Sequence, residues 1–165
     1  MNDRLEVRKP EHKTTVRIVA QTPSGKTVLL EKNARSHNPG MFEYPGGVVH
    51  GRKKPPLEML RKIAAKEFQE ETDIAIDPDK LIPVDSYAFY FHSERGKRRL
   101  FRRDAHIFRY QLDTENPKVL VNKTRTKQGG EEDFHASWRL VPRDELTELA
   151  RTGKLLGNTR PKYVR

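Results

Sequence analysis

The chain has 165 residues, enough for one domain with a real hydrophobic core, and carries 33 Lys and Arg against 23 Asp and Glu, a formal net charge of +10. That excess favours phosphates, nucleotides or nucleic acid as partners, and the lack of cysteine excludes disulfides, thiolate metal sites and a thiol nucleophile. Apolar runs are only a few residues long and the charged start MNDRLEVRKPEHK lacks the apolar core of a secretory signal, so a soluble, cytoplasmic protein with no membrane partner is expected.

In chain order, residues 1–13 read as a charged, flexible arm, followed by a domain over 14–153 and a basic tail over 154–165. TTVRIVAQT (14–22) and TVLLEK (27–32) are β-rich runs around PSGK and predict a hairpin. FEYPGGVVH (42–50) predicts two short extended pieces bent at Pro45-Gly46-Gly47, where glycine allows close approach of a ligand to the backbone. GRKKPP is a basic loop ending where proline suits a helix start. Leu57 to Thr72 has helical periodicity, PVDSYAFYFHS (83–93) and RRLFRRDAHIFRYQL (98–112) predict a longer hairpin, and KVLVNK (118–123) a further short strand. FHASWRLV reads as a strand and PRDELTELART as a second helix with acids in its first turn. Strands flanking one central helix, with a second helix late in the chain, predict an α/β or α+β sandwich.

The chemistry concentrates in KEFQEET (66–72). On a helical wheel Leu57, Leu60, Ile63, Ala64 and Phe68 form the apolar sector; Glu67 and Glu71 fall inside it and Glu70 at its edge. Inward carboxylates need protons, basic partners or a metal, and an all-oxygen cluster favours Mg²⁺, then Mn²⁺. The competing expectation is a solvated shoulder paired with Arg61, Lys66 and loop cations. Six histidines lack metal-ligand spacing, so zinc is not expected. The basic runs at 51–54, 96–99 and 123–127 suit phosphate, with Arg52, Lys53 and Lys54 the candidate substrate contacts. Tyr87, Phe89, Phe91, Phe101 and Phe108 could stack on a base, although strand aromatics more often fill a core.

These residues resemble a known family. Lys66-Glu67-Phe68-Gln69-Glu70-Glu71-Thr72-Asp73-Ile74 is similar to the second half of the Nudix box, with Lys66 for its Arg and Asp73 for its Gly. Glu58 matches the first glutamate of the box by count, while the stretch from Gly47 to Lys66 is about five residues longer than the pattern, Arg52 stands where it has glycine, and HGRKKPP holds the insertion. Phe42-Glu43-Tyr44-Pro45-Gly46-Gly47 is similar to the lead-in of MutT-like members, and Trp138 to Leu146 resembles their late Trp-x-x-x-Pro-x-x-Glu-Leu segment. The resemblance implies a Nudix-type α/β/α sandwich with a mixed β-sheet. It also implies Mg²⁺-dependent hydrolysis of a diphosphate linkage in a nucleoside diphosphate derivative such as a (d)NTP, with an RNA 5′ end as another possible partner. It assigns Glu67, Glu70 and Glu71 as metal ligands with the Gly46 carbonyl, and Glu43 and Tyr44 to the substrate side. The catalytic residues would be Glu71, Glu70 and Glu132 of the later loop, with Glu71 or Glu132 as the base. The alternative is a Nudix-fold module that binds nucleotide or RNA without turnover.

Overall fold

The computed structural model describes residues 11–36, 38–51, 54–92, 100–121 and 135–165. Among the described residues one mixed sheet of seven strands runs β3-β2-β1-β6-β5, with β4 paired to β1 and β7 to β2. The strands are β1 (Glu11–Gln21), β2 (Thr27–Lys32), β3 (Phe42–Glu43), β4 (Gly46–Val49), β5 (Ile82–His92), β6 (Leu100–Gln111) and β7 (His135–Val141). Helix α1 (Leu57–Thr72) and helix α2 (Arg143–Arg151) lie on opposite faces.

Alternation along β1 explains the layering. Val16, Ile18 and Ala20 join Leu60, Ala64 and Phe68 of α1 in one core cluster, whereas Val19 joins Leu146 and Leu149 of α2 in the other. A strand covered on both faces reads as a nearly continuous apolar run, as RIVA does. Each fully buried side chain of this kind, Phe68 among them, contributes about 1.5–3 kcal/mol.

The sheet divides at β1. Its first half pairs antiparallel with β4, from Thr14↔Val49 to Arg17↔Gly46, and its end meets β2 at Gln21↔Thr27. On the other edge β1 runs parallel to β6 from Glu11↔Phe101 to Gln21↔Gln111. Pro45, between β3 and β4, bridges the division by accepting the Ile18 N–H at 2.8 Å.

Four expectations change. The first strand begins at Glu11, because residues 11–13 pair with β6, so these three residues belong to the sheet and not to an arm. Residues 118–121 form no strand: Val119 is buried, but the Leu120 N–H is donated to the Thr72 carbonyl at the end of α1 rather than to a neighbouring strand. The 154–165 segment is no separate tail. Tyr163 and Val164 are buried in the α2-side core, Leu155 bridges to Phe42, and the Arg109 side chain donates to the Tyr163 carbonyl at 2.8 Å. Leu57, placed on the apolar sector of the wheel, is 44% exposed, lining an open cleft between the helix start and β5 and β6. No helix among the described residues is long and apolar enough to cross a membrane.

Candidate active site

The bend between β3 and β4 meets the last turns of α1. Gly46 donates its N–H to Glu71 Oε2 at 2.8 Å, and a Cβ on Gly46 would lie 2.0 Å from the Val16 carbonyl oxygen. A Cβ on Gly47 would lie 2.4 Å from Glu67 Oε2. At Gly47 only glycine lets the Glu67 carboxylate approach the strand this closely, and at Gly46 only glycine lets β4 lie against the Val16 carbonyl of β1. Residues 67 and 71 are one helical turn apart, so both side chains reach the same strand end.

Glu71 is 5% exposed, and burial pushes its carboxyl above the usual range. His135, Arg17 and the Gly46 N–H oppose that rise, while the Glu43 charge adds to it. Glu70 is more open, with its side chain 37% exposed and Oε1 3.7 Å from Lys66 Nζ. Lys66 therefore supplies charge to a neighbouring carboxylate, without the bidentate fork of an arginine.

Beside the glycines, Glu43 is 4% exposed, with Arg17 at 3.3 Å, Lys32 at 3.6 Å and the His135 ring Nε2 at 2.9 Å around it. Burial opposes its ionisation, but Arg17, the His135 hydrogen bond and Lys32 outweigh burial and hold the carboxyl at about 2. Tyr44 is fully buried; its hydroxyl donates to the Arg160 carbonyl at 2.8 Å and burial raises its pKa. The Tyr44 carbonyl accepts from Arg17 Nη1 at 3.0 Å. These two residues brace the bend from behind through side chains with partners inside the protein.

No family sequence model matches the chain, and no curated protein sequence matches it. Solved structures do. A MutT protein from Methanosarcina mazei Go1 superposes with a TM-score of 0.56 at 18% identity, covering 85% of this chain and 83% of that one. The chain has the MutT/Nudix fold. A C. elegans Ap4A hydrolase gives a TM-score of 0.53 at 13% identity, covering 84% and 86% of the two chains. A Francisella tularensis bifunctional NMN adenylyltransferase/ADP ribose pyrophosphatase, solved with AMP and a Mn ion, gives 0.61 at 13% identity, where 96% of this chain spans 42% of that protein.

On this Nudix fold the structure brings Glu67, Glu70, Glu71, Gly46, Glu43 and Tyr44 into one neighbourhood. It separates Lys54 from them. Lys54 lines a cleft of about 330 Å³ with Arg102, Asp104 and His106, past the opposite end of α1. Arg52, Lys53 and Glu132 lie outside the described residues. Among the strand aromatics, Phe108 is core, Tyr87 packs at the edge of the α2-side core, and Phe89 and Phe101 are half-buried.

Magnesium, which the resemblance implies, takes hard carboxylate and carbonyl oxygens. Glu67, Glu70 and Glu71 are donors of that kind, and the space left by the absent Gly47 side chain is filled by the Glu67 carboxylate, so the donor set fits the cation. Among the described residues no three His, Cys, Asp or Glu side chains are already gathered as a metal cage, and Glu70 extends toward Lys66. Arg17 and His135 stand beside this candidate site through Glu43, and sequence reasoning missed both. Arg17 had one signal, a charge inside an otherwise apolar strand; His135, beside Glu43 only through the β2–β7 pairing, had none.

Proposed function

We propose that this protein is a Mg²⁺-dependent pyrophosphohydrolase that cleaves a diphosphate linkage in a nucleoside diphosphate derivative. The observation that carries this reading is the seating of the Glu67 and Glu71 carboxylates on the Gly46-Gly47 backbone with Glu70 alongside. A carboxylate buried as Glu71 is costs stability, which is characteristic of a residue kept for chemistry.

Glu67, Glu70 and Glu71 would hold the metal, with the Gly46 carbonyl as a further oxygen. When bound, a divalent cation neutralises diphosphate charge, polarises a P–O bond and lowers the pKa of a water. The chain's own groups do the rest. Glu71, whose carboxyl is pushed upward by burial, is suited to take a proton from the attacking water, with Glu132 as the loop alternative. The Glu43 cluster with Arg17 and His135 keeps the glycine bend fixed beneath the carboxylates. Arg52, Lys53 and Lys54 add a positive field that attracts a polyanion. Substrates named for similar folds, Ap4A and ADP-ribose, belong with (d)NTPs and 5′-triphosphate RNA in the panel to be tried.

The test is product release from that panel with and without Mg²⁺, for the native chain and Glu71→Gln. Mg²⁺-dependent turnover of at least one compound, lost in the variant, supports the proposal. No turnover of any compound, with salt-sensitive RNA binding that the variant retains, would replace it with a binding module.

A further inference from the structure

The segment that follows α2 runs along the outer side of β3 and on around the bend that carries Gly46. On its inner side β3 pairs with β2 through Leu30↔Glu43 and Glu31↔Phe42. On its outer side Phe42 donates its N–H to the Lys154 carbonyl at 2.9 Å and accepts the Leu156 N–H at 3.0 Å, a parallel bridge opposite Leu155. Two residues on, the Tyr44 hydroxyl donates to the Arg160 carbonyl at 2.8 Å, and the Tyr44 N–H is donated to the Thr159 hydroxyl oxygen at 3.2 Å.

Backbone donors along this stretch have partners of different kinds. Phe42 gives its N–H to a backbone carbonyl, Pro45 has none to give, and Gly46 gives its own to Glu71 Oε2 at 2.8 Å. Tyr44 lies between them, and its acceptor is a side chain, Thr159, which is 2% exposed. The Thr159 N–H is itself donated to the Leu156 carbonyl at 2.8 Å, so the hydroxyl is held by the same loop that pairs with Phe42. Further on, the segment is anchored away from the bend. The Tyr163 hydroxyl donates to Asp85 at 2.7 Å, the Arg109 side chain donates to the Tyr163 carbonyl, and the Arg165 N–H is donated to the Gln21 side chain at 3.2 Å. Thr159 passes that anchoring to the backbone two residues before Gly46.

We propose that Thr159 is a positioning residue for the glutamate seam: its buried hydroxyl fixes Tyr44 and, through the stiff Pro45 linkage, holds the Gly46 N–H against Glu71. This rests on reading that seam as a diphosphate-cleaving site. Without the hydroxyl the Tyr44 N–H is buried with no acceptor, a penalty the chain relieves by shifting the bend, and a small displacement at the reacting centre is enough to slow the chemistry. Thr159 acts from behind the bend, so its loss falls on the rate of turnover and not on substrate affinity.

Amide hydrogen exchange on the full chain, with steady-state rates on whichever compound of the panel is turned over, tests the assignment. In Thr159→Val, where a methyl of similar size replaces the hydroxyl, the Tyr44 and Gly46 amides are expected to exchange about fivefold faster or more, with those of β5 and β6 within about twofold. The same variant should lose about tenfold in kcat and keep KM within about twofold. Thr159→Ser retains the acceptor and should return exchange and kcat to within about twofold of the native chain. Tyr163→Phe removes a hydrogen bond at the far end of the same segment; it should lower the melting temperature and leave kcat unchanged, which separates positioning from general loss of stability. If Thr159→Val does not fold, exchange of the native chain in mild urea decides, with Tyr44 and Gly46 expected to open as one unit. A Gly46 amide that ignores Thr159→Val or stays protected after Tyr44 opens, an unchanged kcat in the valine variant, a serine variant no better than valine, or an equal loss of kcat in Tyr163→Phe would each overturn the proposal. The hydrolase reading fails separately: no turnover of any compound removes the enzyme, while the exchange measurements still decide the role of Thr159.

Discussion

Helix α1 carries glutamates at both ends, and the two ends behave differently. Near its start Glu58 has a side chain 78% exposed and pairs with Lys62 at 3.1 Å, an ordinary i,i+4 contact in water. Near its end Glu71 is 5% exposed against Gly46, with Glu67 packed over Gly47. Residue type and helix are the same. The opposing backbone makes the difference: the helix end closes on β4, where Gly47 has no side chain in the way of Glu67 and the Gly46 N–H meets Glu71. Glu58, although it matches the Nudix box by count, lies on the solvent side of this contrast.

Substitutions can break the contrast, and Glu71→Gln should have the largest effect. Turnover is expected to fall by about a hundredfold or more, because a candidate proton acceptor and metal ligand is lost together. Stability should move the other way. The folded-state pKa of Glu71 lies above its ordinary value of 4.5, so ionisation costs folding free energy as pH rises through the folded value and costs nothing well below 4.5. Glutamine still accepts the Gly46 N–H. The variant should therefore melt higher than the native chain at neutral pH, a gain that disappears in acid. Melting curves across pH check this.

Glu43 has the opposite sign. Its folded value of about 2 lies below the ordinary 4.5, so its contribution is complete above 4.5 and is lost as pH falls toward 2. Urea midpoints of the native chain should record a loss of about 3 kcal/mol over that window, and Glu43→Gln should flatten it. In Gly47→Ala the new methyl displaces the flexible end of Glu67 rather than backbone, so the stability cost should stay near 1 kcal/mol. Turnover should fall about tenfold, since a small misplacement of a ligand is enough to impair chemistry. Glu58→Ala should change stability by less than about 0.5 kcal/mol and leave turnover unchanged, both readable in one melt and one rate assay.

Local order was legible in the sequence where one element decided it. The bounds of α1 follow from apolar periodicity after Pro56 and appear as Leu57–Thr72, and the inward turn of Glu67 and Glu71 was visible on the wheel. The helix ends without the expected glycine because Asp73 itself takes the left-handed conformation, φ 61°, and donates its N–H to the Gln69 carbonyl. Long-range features were hidden. His135 reaches Glu43 across 92 positions, and Arg17 meets Gly46 only because β4 pairs with β1. The last segment was obscured by its Lys and Arg residues, although Tyr163 and Val164 anchor it in the core. Lys54 was grouped with the phosphate contacts by charge alone, and charge does not say which end of a helix a loop covers.

The central claim is that Glu67, Glu70 and Glu71 act as one cation site despite their unequal exposure, and Glu70, turned toward Lys66, is its most demanding member. Mn²⁺ titration followed by electron paramagnetic resonance measures that directly. The account predicts saturable binding by the native chain and at least about tenfold weaker binding by Glu70→Gln, in line with the loss of a charged ligand. Equal Mn²⁺ affinity in the native chain, Glu67→Gln and Glu70→Gln would contradict it.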